Sequence, residues 1–133
     1  MFEIQTDDAP QAIGPYVQGR KLDNLVFTSG QLPLDELKRI PSCVELQTKL
    51  SLENALAIIK EAGLTAGDIL KTTVFLDNLD DFTKVNKVYE AFFVANDAPF
   101  PARSCVEVSR LPLDAKVEIE VFAGKDQICC LKQ

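Results

Sequence analysis

Two stretches of this chain repeat their apolar residues at helical spacing and on one side only, which narrows the folds open to it. Leu52, Ala55, Leu56, Ile59 and Ala62 fall at i, i+3, i+4, i+7 and i+10, and Phe82, Val85, Tyr89, Phe92 and Phe93 make a second stripe. A helix with a single stripe lies on a partner surface instead of being buried all round. The segments between and around the stripes read as that surface. NLVFTS at 24–29, ILKTTVFL at 69–76, ARSCVEVS at 102–109 and KVEIEVF at 116–122 are rich in β-branched and aromatic residues. A short strand in YVQG, turning near Lys21 to Asn24, is expected to pair with the first of these. Gly63 stands where a left-handed cap would end the first helix, and Asn78 can cap the second, with Asp80 and Asp81 set against its dipole. Pro99 and Pro101 stop it. The order is β-β-α-β-α-β-β, an α/β (α+β) fold with a mixed sheet and two helices on one face.

Alternation along the strands assigns the faces. Val117, Ile119 and Val121 should point to the helices, leaving Lys116, Glu118, Glu120 and Phe122 opposite. Leu70, Thr72, Val74 and Leu76 are expected on one side of their strand, with Lys71, Thr73 and Phe75 on the other. Phe75 and Phe122 would be wet in a monomer, so the uncovered face is read as an association surface between copies of the chain.

Length and charge bound the function. At 133 residues one domain, 1–133, is expected. Fourteen Lys and Arg against twenty Asp and Glu give a net charge of −6, which weighs against nucleic-acid binding. The chain has no His, which removes Ser-His-Asp and Cys-His nucleophiles, His-ligated zinc and a His general base. None of Cys43, Cys105, Cys129 and Cys130 forms a C-x-x-C pair. MFEIQTDDAP has neither a basic start nor an apolar run, and no stretch is long enough to span a membrane. Reduced thiols in a cytoplasmic setting are the expectation, with Cys129 and Cys130 in an unpatterned extension at about 124–133.

Arg103 is the most informative residue for chemistry. It follows Pro99-Phe100-Pro101-Ala102, and its planar guanidinium matches a carboxylate. On spacing alone, an ion pair with Glu118 or Glu120 on the adjacent strand is the stronger reading. The alternation allows Glu118 to share a face with Arg103, where its carboxylate could hold or deprotonate a water, but Glu120 is equally eligible. Tyr16 could offer a phenol, or be a half-buried aromatic beside a Gly-Pro turn. Ser29-Gly30 could present a hydroxyl and an N–H at a strand end, or simply bend the chain. Asn86 reads as surface, and Cys105 as a small core or interface residue.

These residues sit in blocks that resemble the RidA family, the reactive intermediate/imine deaminases also called YjgF-like proteins. The matching blocks are AIGPYVQG at 12–19, TSGQLP at 28–33, GDILKTTVFLDNLDDFTKVNKVYEAFF at 67–93, and FPARSCVEVSRLP followed by KVEIE within 100–120. The resemblance runs from about residue 5 to 123. It implies a chorismate-mutase-like fold assembled as a homotrimer with clefts between subunits. It further implies hydrolysis of 2-imino and 2-enamino acids, such as 2-aminoacrylate, to 2-oxo acids and ammonia without a cofactor. Arg103 would grip the substrate carboxylate and Glu118 would position or activate water. Tyr16 would arrive from a neighbouring subunit, and Ser29, Gly30, Asn86 and the backbone at Cys105 would complete the lining. A non-enzymatic, chaperone-like role and a ribonuclease-type translation inhibition are the rival readings; the acidic charge and missing His set the last lowest. LDELKRIPSCVELQ at 34–47 lacks the Gly-containing turn usual in the family, so a different connection near the cleft is expected there.

Overall fold

A computed structural model describes residues 2–126. Cys129 and Cys130 therefore lie outside the described residues. The strands are β1 (Phe2–Ile4), β2 (Gly19–Leu22), β3 (Leu25–Thr28), β4 (Ile69–Leu76), β5 (Ala102–Glu107) and β6 (Val117–Gly124); the helices are α1 (Val44–Glu61) and α2 (Phe82–Ala95). The expected order holds, with one extra strand, β1, at the N-terminal edge. The six strands form one sheet in the order β1-β2-β3-β6-β4-β5. All pairings are antiparallel except β4–β5, where α2 serves as the crossover between parallel neighbours.

Both helices pack on one face. Val117, Ile119, Val121 and Ala123 of β6 are fully buried, and with Val74, Leu76, Leu52, Ile58, Ile59, Val85 and Phe93 they build the main core. Each such large side chain contributes roughly 1.5–3 kcal/mol on leaving water. A smaller cluster of Leu32, Leu34, Leu111 and Ala115, flanked by Ile40, Phe75 and Val108, forms a second apolar centre. Phe75 is therefore partly covered within one chain, whereas Phe122 remains 44% exposed on the open face beside Phe27.

One assignment of faces changes. A bulge between Ile69 and Lys71 turns Ile69 inward and leaves Leu70 exposed; Thr72, Val74 and Leu76 point to the core as expected. Helix α1 begins earlier than its apolar stripe, because its first two turns bury Val44, Gln47, Thr48 and Ser51, a mostly polar set. Within the 34–47 connection the chain is turned by Asp35, whose carboxylate accepts from the backbone N–H groups of Leu37 and Arg39 while Lys38 takes φ 63°.

The end of α1 follows its glycine. Gly63 N–H donates to Lys60 O at 2.9 Å and Leu64 N–H to Ile59 O at 3.0 Å, the paired bonds of a left-handed cap. Gly63 holds φ +87°, and an added Cβ would meet nothing within 4 Å. Gly63→Ala thus isolates backbone strain from crowding. It should lower the unfolding free energy by about 1 kcal/mol in a urea titration; an unchanged or raised midpoint would contradict the assignment.

Candidate functional site

The sheet order separates the two residues expected to work together. Because β4 lies between β5 and β6, neither Glu118 nor Glu120 is on the strand next to Arg103. In register, Arg103 sits beside Thr72 and Val121, on the helix side; Glu118 sits beside Phe75 and Val106, on the opposite side. The expected shared face within one chain is thus corrected. The reason is the register: both are aligned through β4, where Thr72 beside Arg103 and Phe75 beside Glu118 are three residues apart and so on opposite faces of the pleat.

The candidate residues fall into two groups. The first surrounds Arg103 on the helix side. Its guanidinium donates from Nη1 to Asn86 Oδ1 at 2.8 Å. Its Cζ lies 4.8 Å from the Tyr89 ring centroid and 5.4 Å from that of Phe82. Phe82, Asn86 and Tyr89 are spaced i, i+4, i+7 on α2 and so present one strip to the cation. Asn86 is half-buried in this contact instead of lying free on the surface. Among the described residues Arg103 makes no salt bridge, so part of its donor fork is left for an incoming acid. Cys105 follows two residues on along the same face, half-buried. Burial pushes its thiol up, against a smaller opposing effect of Arg103, so it stays protonated at neutral pH and is a poor nucleophile.

The second group lies across the sheet. Past the end of β3, Gln31 exchanges backbone bonds with Ile119 in both directions, at 2.7 and 3.1 Å, which brings Gly30 against Glu118. A Cβ on Gly30 would sit 2.6 Å from Glu118 Oε2, so the glycine lets the carboxylate lie over the backbone. Burial raises the Glu118 carboxyl above the usual carboxylate range, and the Glu120 charge adds to the effect. Ser29 Oγ donates to Val17 O at 2.6 Å, which commits its proton to the backbone. Tyr16 is 45% exposed, and its hydroxyl accepts from Ile13 N–H at 3.2 Å. Tyr16 and Gly30 border one small hollow together with Gln18, Gln31 and Leu32.

Sequence reasoning missed the supports of both groups. Phe82 and Tyr89 were assigned only to a core stripe, although their spacing about Asn86 is the signal that could have exposed them. Gln18 is 1% exposed; its amide accepts from Thr6 N–H and donates to Thr6 O, Ala9 O and Pro10 O, tying down the segment that carries Tyr16. A broad groove between the outer faces of α1 and α2 contains none of the candidate residues. Among the described residues no group of His, Cys, Asp and Glu is placed to hold a metal ion, and no helix is long and apolar enough to cross a membrane.

Glu118 supplies a test of this electrostatic picture. Its folded pKa lies above the unfolded value, so the stability gained from its proton is full below the unfolded pKa and is lost as pH rises through the folded one. Glu118→Gln cannot ionise. Its urea midpoint should therefore rise relative to wild type between about pH 4 and about pH 7. A gap that does not change with pH would refute the burial cost.

Known proteins are similar to this chain in sequence and fold. The family model described as endoribonuclease L-PSP matches residues 6–125. The 2-iminobutanoate/2-iminopropanoate deaminase of Escherichia coli K12 is 55% identical over 121 residues, covering 90% of this chain and 94% of that protein. A putative reactive intermediate deaminase of the same strain, TdcF, is 54% identical over the same coverage. Among solved structures, E. coli TdcF with bound serine superposes with a TM-score of 0.93 at 51% identity, covering 95% of this chain and all of that one. The E. coli YjgF gene product gives 0.93 at 52% identity with the same coverage.

Proposed function

The chain belongs to the endoribonuclease L-PSP family, the RidA/YjgF-like family, and on that premise we propose that it hydrolyses reactive 2-imino and 2-enamino acids to 2-oxo acids and ammonia. The observation that carries the reading is the pair of unlike half-sites, unpaired among the described residues: an aromatic-walled guanidinium without a carboxylate partner, and a half-buried carboxyl without a cation, its pKa raised by burial. One takes the acid end of a substrate and the other handles water. Since they face opposite ways, a substrate that touches both lies between two protomers. A homotrimer with three such clefts accommodates this, and the open sheet face around Phe122 and Val106 supplies surface to bury. We place the protein in the cytoplasm, as one RidA-like domain.

The chemistry suits these groups. An iminium carbon is already electrophilic, so an anchored carboxylate and one placed water are enough to start the reaction. Glu118 takes a proton from the water as its oxygen bonds to the imine carbon. Glu118 returns that proton to the carbinolamine nitrogen, the carbon–nitrogen bond breaks to release ammonia, and the hydroxyl gives its own proton to the Glu118 carboxylate or to solvent as its oxygen becomes the carbonyl of the 2-oxo acid. Burial raises the Glu118 pKa, which makes its carboxylate a stronger base toward the water. Ser29, Gly30, Tyr16 and the Cys105 backbone line the cleft. The ribonuclease reading is weaker, since the −6 charge and absent His provide neither a phosphate-attracting field nor the usual acid/base pair.

A pyridoxal-phosphate-dependent serine dehydratase supplies 2-aminoacrylate for the test, with pyruvate formation followed. Wild type should exceed spontaneous hydrolysis, and Arg103→Ala should lose on the order of 2 kcal/mol of transition-state stabilisation, roughly 30-fold. Full activity in that variant would overturn the carboxylate role. Co-assembled Arg103→Ala and Glu118→Ala chains should recover activity that neither has alone; silent mixtures would remove the shared cleft. Sedimentation should give about three times the 14.7 kDa chain mass, and a monomer at micromolar concentration would count against the assembly.

A further inference from the structure

We propose that Phe82 and Tyr89 are positioning residues for Arg103, a two-ring clamp that holds the guanidinium ready for the substrate carboxylate. The inference rests on the deaminase reading above and names how the same site is organised. Arginine carries considerable rotamer freedom, and an edge-strand position gives it a strand neighbour on one side only. Strand β5 is the edge of this sheet. Fixing the side chain must therefore come from α2. Tyr89 provides the buried plate: it is 6% exposed, its ring packs against Phe93 at 4.9 Å between centroids, and its hydroxyl pairs with Thr72 Oγ1 at 2.6 Å. Thr72 is itself fully buried and is the β4 residue in register with Arg103. The ring is thus locked from below by the strand beside the arginine. Phe82, about two turns before Tyr89 on α2, supplies the outer plate and is 37% exposed. Asn86, between them along the helix, accepts from Nη1 and sets the rotation of the fork.

Such a clamp is consistent with the neutral chemistry of its walls. A carboxylate in place of Asn86 would pair with Arg103 and compete with substrate, whereas aromatic faces hold a cation without neutralising it. The fork keeps its charge and its free donors.

Phe82 is the clean test, because its partial exposure allows substitution without opening the core. The probe is 2-oxobutanoate, a 2-oxo acid of the product class, titrated by NMR against folded protein. Phe82→Leu should weaken its binding about three- to tenfold, and Phe82→Tyr should restore it. In an Arg103→Ala background, Phe82→Leu should make no further difference, because the ring acts through the arginine. Wild-type affinity in Phe82→Leu would overturn the clamp, as would an equal loss with and without Arg103, which would make Phe82 a direct wall of the cleft. Tyr89→Phe, which keeps the ring and deletes its tie to Thr72, should weaken binding in the same Arg103-dependent way. A wild type that binds 2-oxobutanoate through this pattern yet fails to accelerate imine hydrolysis would sink the deaminase reading and leave the clamp standing.

Discussion

Val117, Ile119, Val121 and Ala123 expose no surface, and the packing of helices on sheet runs through them. Strand β6 pairs with β3 on one side and β4 on the other, so its pleat sets the register of the whole sheet. A one-residue slip would carry the four apolar side chains to the open face and push Glu118 and Glu120 into the core. That single constraint decides which side of the sheet holds hydrocarbon and which can present a carboxyl.

The irregular segments depend on a different device. Gln18, Gln47 and Asn54 are all buried, and each spends its amide on loop backbone. Gln18 ties the 6–10 segment; Gln47 bonds Pro41 O and Lys116 N–H; Asn54 donates to Leu32 O and Leu34 O, both at 3.0 Å. Buried amides are expensive unless satisfied, so these bonds are mutually enforcing: a loop that moved away would strand the side chain. The half-site around Gly30 and Tyr16 owes its shape to such pins more than to apolar contact.

What could be read in advance followed from periodicity. Strand β4 starts and ends as its composition indicates, and the α2 stripe is buried at Val85, Tyr89, Phe92 and Phe93. The first turns of α1 escaped because Gln47, Thr48 and Ser51 carry no hydrophobic signal and Cys43 provides no side-chain cap. Strand β1 is three residues long and pairs only with β2, too little pattern to stand out. Leu70 misled because the bulge beside it breaks strict alternation. Asn78 does cap, but a 3-10 turn at Leu79–Asp81 rather than α2 directly. At the site, the resemblance singled out residues whose mutual placement it could not supply: local pattern does not say that β4 comes between β5 and β6.

The opposed outlook of Arg103 and Glu118 has a bearing on stoichiometry. Two unlike surfaces that must meet produce a head-to-tail contact, and repeated contacts of that type either close into a ring or grow into an open filament. On the two-protomer reading, the two surfaces are carried by β5 and β6 with β4 between them, so the twist across these strands enters the rotation from one subunit to the next. The backbone angles of those three strands thereby bear on ring closure, and the middle one carries the Ile69–Lys71 irregularity.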